Sequence, residues 1–215
     1  MILITHQRSG SEWFLHGLTD VKYNGWEILG DMDRIVGTSF TQFQNISDAA
    51  RLQMIKSTPP TRAHKVHFSN LRRESEGPNW EAVLSTLQGR DDLYLLTRQN
   101  TRRVLISFMI AMKNGMNFHE SVEKLTTPFS VTQEELARWY QFLGPDAEWA
   151  RSLFDFREEF VYEDLVSGAQ VPQTISWDSQ RSKVQQRGSI DFVHLIQNYD
   201  DVIQWMDELG VQGTL

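Results

Sequence analysis

The 215 residues include no cysteine. That absence removes disulfides, thiolate metal sites and a cysteine nucleophile from consideration. No apolar run approaches the roughly 20 residues of a membrane-spanning helix, and the start lacks the pattern of a signal peptide. Met1 leads straight into an apolar segment, which leaves no room for a cleaved leader, so the expected location is cytoplasmic. Positive charge is in short supply: 21 Lys and Arg face 28 Asp and Glu, for a net charge of −7. That balance argues against a general nucleic-acid binder but leaves room for a small basic pocket. Internal repeats, low-complexity tracts and linkers are also missing.

What is present is ordinary globular material, with 40% hydrophobic and 23% charged residues. The length suits one α/β domain with a full core. Ile2–Thr5 reads as a short buried strand and Ser11 to about Tyr23 as the helix after it. Trp26–Leu29 and Ile35–Gly37 are weak extended segments. Ser47 is placed to cap a helix ending near Ser57, and Ala63–Phe68 reads as a strand. Asn79 is placed to cap a helix through about Leu87, and Leu93–Thr97 is the clearest internal strand.

A long helix over Thr101–Asn114 follows, with Gly115 as its stop. Thr132 and Glu135 match a capping box opening a helix that Gly144-Pro145 interrupts and that resumes through Phe154. "EEFVYEDL" reads as a strand ending in acids, and Ile190–Leu209 as a final helical region. Strands alternating with helices predict a mostly parallel sheet covered on both faces, an α/β fold.

Three stretches carry chemistry. "MILITHQRSGSEWF" runs from a strand through a Gly/Ser turn into a helix, which is how α/β proteins build an anion site. No Walker A loop is present. On these residues alone, an ordinary turn with a solvated Arg8 stands beside a phosphate cradle made by Arg8 and Ser9–Ser11. "RAHKVHF" places Lys65 and His67 on one face of a strand, and His64 and Val66 on the other. "LLTRQNTRRVLIS" puts Arg98 at a strand end and Ser107 in the helix after it. Arg102 and Arg103 near a helix start oppose the dipole preference; solvation or a nearby anion would each account for them.

Together these stretches resemble the sulfotransferases that use 3′-phosphoadenosine 5′-phosphosulfate (PAPS). "THQRSGSEWF" is similar to that family's 5′-phosphosulfate loop, and "AHKVHF" to its Lys-x-His strand. "LLTRQNTRRVLIS" resembles the 3′-phosphate motif, "FVYEDLV" the strand end that follows, and "HLIQNYDDVIQWM" the C-terminal helix of bacterial-type members. The five matches stand in family order and span Ile2 to about Met206.

The resemblance implies a P-loop-like sulfotransferase domain over residues 1–215. It implies PAPS as donor, 3′-phosphoadenosine 5′-phosphate (PAP) as product, and no metal. Arg8 would lie near the bridging oxygen, Ser9, Gly10 and Ser11 would hold the 5′-phosphate, and Trp13 would stack on adenine. Lys65 would neutralise the transferring sulfuryl group, and His67 would be the general base. Arg98 and Ser107 would bind the 3′-phosphate, with Tyr162 near the adenine.

Departures from the pattern are equally specific. Glu12 replaces a hydroxyl residue, which puts a carboxylate beside the phosphates or toward the acceptor and makes it a rival base. The Arg98-to-Ser107 spacing is one longer than in the cytosolic steroid and phenol enzymes, and is similar to bacterial carbohydrate and lipid members. The C-terminal phosphate contact has no clean match; Arg181, Lys183 and Arg187 in "QRSKVQQRG" are the candidates. The acceptor would be a small molecule, carbohydrate or lipid, met by the variable loops Gly30–Asn45, Ser69–Pro78 and Gly115–Ser130. The competing readings are a P-loop-like nucleotide phosphotransferase and a nucleotide-binding module without catalysis.

Overall fold

A computed structural model describes residues 1–27, 48–113, 128–143, 147–181 and 193–214. The chain forms two compact units, one of residues 1–98 and 145–186, the other of residues 99–144 and 187–215.

The first unit is built on a five-stranded, all-parallel sheet: β1 (Ile2–Thr5), β2 (Lys22–Glu27), β3 (Arg62–His67), β4 (Leu93–Thr97) and β5 (Glu158–Val161). Parallel neighbours need crossover connections, and the helices supply them. In this unit α1 (Ser11–His16), α2 (Asp48–Ser57), α3 (Phe68–Ser75), α4 (Trp80–Gln88) and α7 (Ala147–Leu153) lie between strands, and α8 (Tyr162–Ser167) follows β5.

The strand order is β2-β3-β1-β4-β5, with β1 in the centre. β1 and β4 are continuous apolar runs, as strands covered on both faces must be. Ile2, Ile4, Val66, Leu93 and Leu95 pack on one face with Phe68, Leu71, Val83 and Leu87. Leu3, Ala63, Tyr94, Leu96 and Phe160 pack on the other with Trp13, Phe14 and Leu15 of α1.

The second unit is helical: α5 (Thr101–Lys113), α6 (Gln133–Leu143) and α9 (Tyr199–Glu208). Leu105, Phe108 and Met109 pack against Leu136, Trp139, Val202 and Met206. The capping box forms as the sequence suggests: Glu135 N–H donates to Thr132 Oγ1 at 3.2 Å, and Thr132 N–H to a Glu135 carboxylate oxygen at 3.0 Å. Asn198 clamps the chain before α6, accepting from Val131 N–H at 3.1 Å and donating to Val131 O at 2.9 Å. Arg102 pairs with Asp207 and donates to Val211 O, so its positive charge serves the end of this unit.

Some boundaries differ from the sequence reading. α1 stops at His16 rather than near Tyr23, because the chain turns at Gly17 and joins the sheet as β2. The Glu158–Leu165 stretch is not all strand; β5 ends at Val161 and Tyr162-Glu163-Asp164-Leu165 opens α8, whose acids suit a helix start. The final helix spans Tyr199–Glu208 only. The segment Ile35–Gly37, the loop Gly30–Asn45, the cap at Ser47, the helix stop at Gly115 and the break at Gly144-Pro145 lie outside the described residues. No helix among the described residues is long and apolar enough to cross a membrane.

Candidate functional site

The sheet register decides which residues meet. Thr5 stands beside His67 on one side and Leu96 on the other, so β1, β3 and β4 end level with one another. The turn after β1 therefore emerges between the ends of β3 and β4. In an open α/β sheet this is the topological switch point, where the chain departs to opposite sides and leaves a crevice.

The turn His6–Gly10 is tightly wound. Arg8 has φ 61° and Gly10 φ 85°, both left-handed. Such a conformation is uncommon for a residue with a side chain, and it costs energy that the surroundings must hold in place. Part of that support comes from two hydroxyls. Thr5 Oγ1 donates to Leu96 O at 2.8 Å, so the 2.7 Å contact between Thr5 Oγ1 and Ser9 Oγ uses the Ser9 proton. The Ser9 side chain is thus engaged inward and fully buried. The Ser9 hydroxyl proton is therefore committed to Thr5 and is not free for a ligand. Ser11, also buried, opens α1 directly after Gly10, and no side chain caps that helix.

Arg98 follows β4 and closes on the same turn. Its Nη1 donates to Arg8 O at 3.1 Å, and its Nε lies 3.4 Å from a Glu163 carboxylate oxygen. Its guanidinium carbon sits 4.7 Å above the Tyr162 ring. Tyr162 in turn packs against Gly10, where an added Cβ would run into the ring. Trp13 meets Tyr162 edge-on with centroids 5.7 Å apart, and meets Trp177 likewise at 4.9 Å. Burial, and then the charge of Arg98, bring Arg8 down to about 10 against the opposing pull of Glu12. Arg8 stays charged at neutral pH, and Arg98 adds a second positive charge to the same turn.

On β3, Lys65 and His67 share the face that also carries Ala63, and both are buried, at 7% and 5% exposure. Lys65 Nζ forms an ion pair with Glu12 of α1. Tyr23 OH donates to the same Glu12 oxygen at 2.5 Å, and His16 Nε2 lies 3.6 Å from the other.

The structure thus gathers Arg8, Ser9, Gly10, Ser11, Glu12, Lys65, His67, Arg98 and Tyr162 at one end of the sheet. Trp13 lies there too, but only 6% exposed and within the core. Ser107 belongs to α5 of the helical unit, whereas Arg98 belongs to the sheet unit. Arg181 lies in the turn Ser179–Arg181, tied through Asp178 N–H to Gly17 O, at the end of α1 away from the Arg8 turn. Lys183 and Arg187 lie outside the described residues.

Sequence reading missed Thr5, Tyr23, His16 and Glu163. Only Glu163 carried a signal, as an acid in the "YED" segment; the others become relevant through tertiary contact alone. A groove of about 340 Å³ opens near Met1, Asp92, Tyr94, Arg157 and Thr174. It sits at the opposite, amino ends of the strands, far from the cations of the turn. Among the described residues no group of three or more His, Asp or Glu is placed to hold a metal ion. Comparison with protein-family models, curated proteins and solved structures finds no match to this chain.

Proposed function

We propose that this chain is a PAPS-dependent sulfotransferase whose donor site is the turn after β1. The observation that carries the reading is the convergence of three cations, Arg8, Arg98 and Lys65, on the switch point, with His67 on the same strand face as Lys65. A donor with two separated phosphate groups needs several fixed cations and backbone N–H groups in this kind of crevice.

In this reading Arg8 faces the oxygen that bridges phosphate and sulfate. It acts by charge and hydrogen bonding, since a guanidinium is a poor proton donor. His67 takes the proton of the acceptor hydroxyl as that oxygen bonds to sulfur. The bond from sulfur to the bridging oxygen breaks, its electron pair stays on the departing PAP, and Arg8 and Lys65 stabilise the charge that develops there. Arg98, stacked on Tyr162, is the 3′-phosphate contact. The acceptor is a hydroxyl or amine of a small molecule, carbohydrate or lipid.

The test is differential. PAP should raise the melting temperature by mass action, and adenosine 5′-monophosphate, which lacks the 3′-phosphate, should do much less. ATP with Mg²⁺ serves as the phosphotransferase arm. Equal stabilisation by PAP and adenosine 5′-monophosphate would remove Arg98 from its role. Labelled PAPS against a panel of acceptors then reads transfer. A second reading, a PAP-binding module without catalysis, is favoured by one observation: Glu12 already engages Lys65. PAP binding with no label transferred to any acceptor would select it.

A further inference from the structure

Glu12 lies two residues after the turn, yet its charge is the wrong sign for an anion site. Its carboxylate is not turned to solvent. One oxygen receives both the Lys65 ammonium and, at 2.5 Å, the Tyr23 hydroxyl; His16, one helical turn along α1, lies 3.6 Å from the other. The Glu12 side chain is only 22% exposed and that of Lys65 only 9%. Glu12 also acts on Arg8, whose positive charge it favours. Four groups from α1, β2, β3 and the turn are thus arranged around one carboxylate at the place where the sheet presents its cations.

A buried ion pair of this kind is costly to form from solvated charges and costly to break on one side. Lys65 can offer its three protons in several directions, but the field it sends toward an anion is largely cancelled while Glu12 holds it. The two arginines are held differently. Arg8 is drawn below its ordinary range, and Arg98 faces Glu163 at the longer distance of 3.4 Å.

We propose that Glu12 is a built-in competitor for Lys65, so that an anion reaching the turn must take the ammonium from the carboxylate. Tyr23 and His16 keep the carboxylate seated when Lys65 leaves it. The device sets a threshold: a ligand with one weak anionic group cannot displace Glu12, whereas a ligand carrying clustered phosphate or sulfate charge can. Glu12 is therefore a specificity-determining positioning residue for the same site. The inference rests on the donor reading only in naming PAP as the natural probe; inorganic pyrophosphate tests it without a nucleotide.

The experiment measures binding of pyrophosphate and of PAP by titration calorimetry to the parent, Glu12→Gln and Glu12→Asp. Gln keeps an oxygen that accepts from Lys65 and Tyr23, so the fold is retained while the competing charge goes. Asp keeps the charge on α1 but draws it back from Lys65 by one methylene. Glu12→Gln should bind pyrophosphate about 10-fold more tightly, the scale of one uncompensated charge at short range in a partly buried site. Glu12→Asp should gain about 3-fold, an intermediate step on the same scale.

No gain for Glu12→Gln overturns the proposal, as does failure of both anions to bind parent and variants alike. A gain for Gln with none for Asp also overturns it, because plain repulsion by a negative α1 would then explain the data. Pyrophosphate binding without PAP binding refutes the donor reading instead, and the Glu12 comparison is then read on pyrophosphate.

Discussion

Replacing Gly10 by Ala should be one of the costliest single-methyl additions in this chain, for two separable reasons. The first is conformational. Gly10 has φ 85°, where an L-residue with a side chain pays about 1–2 kcal/mol. The second is steric: the new methyl group would occupy the position of the Tyr162 ring edge. That ring cannot move freely, because Trp13 meets it edge-on at 5.7 Å and the Arg98 guanidinium lies 4.7 Å above it. An aromatic pair is worth about 0.5–1.5 kcal/mol and a cation–π contact about 0.5–1 kcal/mol, so forcing the ring aside should roughly double the loss. The total is about 2–4 kcal/mol, read as a shift in the urea midpoint at unchanged slope.

The steric share can be isolated with Tyr162→Ala. In that background the methyl group has no ring to displace, and Gly10→Ala should cost only about 1–2 kcal/mol. Equal costs in the two backgrounds would refute the claim that Tyr162 packs over the turn. A loss below about 0.5 kcal/mol, the level of ordinary surface substitutions, would refute the strained turn itself.

Arg98→Ala should weaken PAP by about 2–3 kcal/mol, the worth of a charge-assisted contact, while adenosine 5′-monophosphate changes little; equal losses for both nucleotides would contradict the 3′-phosphate role. His67→Gln should leave PAP affinity nearly unchanged and lower transfer by about 10²–10⁴-fold, and retained activity alongside loss in Glu12→Gln would shift the base to the carboxylate. Thr132→Ala should cost about 1 kcal/mol by removing the cap of α6, measured by urea unfolding. Burial alone would raise Glu135, but Lys113 and the Thr132 N–H outweigh it and hold the carboxyl below its ordinary range. Its stabilising share is present above the ordinary carboxylate range and is lost as pH falls through the lowered one, so Glu135→Gln should reduce the acid slope of stability. Burial, reinforced by the N-terminus, Arg62 and Arg90, keeps His64 below its ordinary range. The unfolded chain then takes up that proton first, so stability should fall as pH drops below about 6.5, and His64→Gln should flatten that limb.

Legible in residue order alone were the strands whose burial is continuous, the long helix that starts at Thr101, and the capping box at Thr132. Each follows from local chemistry: apolar runs too short for helices, helical periodicity, and a side-chain pair three residues apart. It also placed Lys65 and His67 on one strand face, since alternation along a strand is a property of the backbone alone. The short α1 was not legible, because the residues through Tyr23 tolerate a helix and only pairing with β3 makes Lys22–Glu27 a strand. Nor was the helical start at Tyr162, where the acids that read as a strand end are the first turn of α8.

Which residues meet is set by how the strands pair. The order β2-β3-β1-β4-β5 puts β1 between β3 and β4, and the level register brings Thr5, His67 and Leu96 side by side. That arrangement carries Arg98 to the Arg8 turn across ninety residues of chain, and Glu12 to Lys65 across fifty-three. Sequence fixes what each strand end carries. Strand order and register, set by which apolar faces pack together, fix what those ends can hold between them.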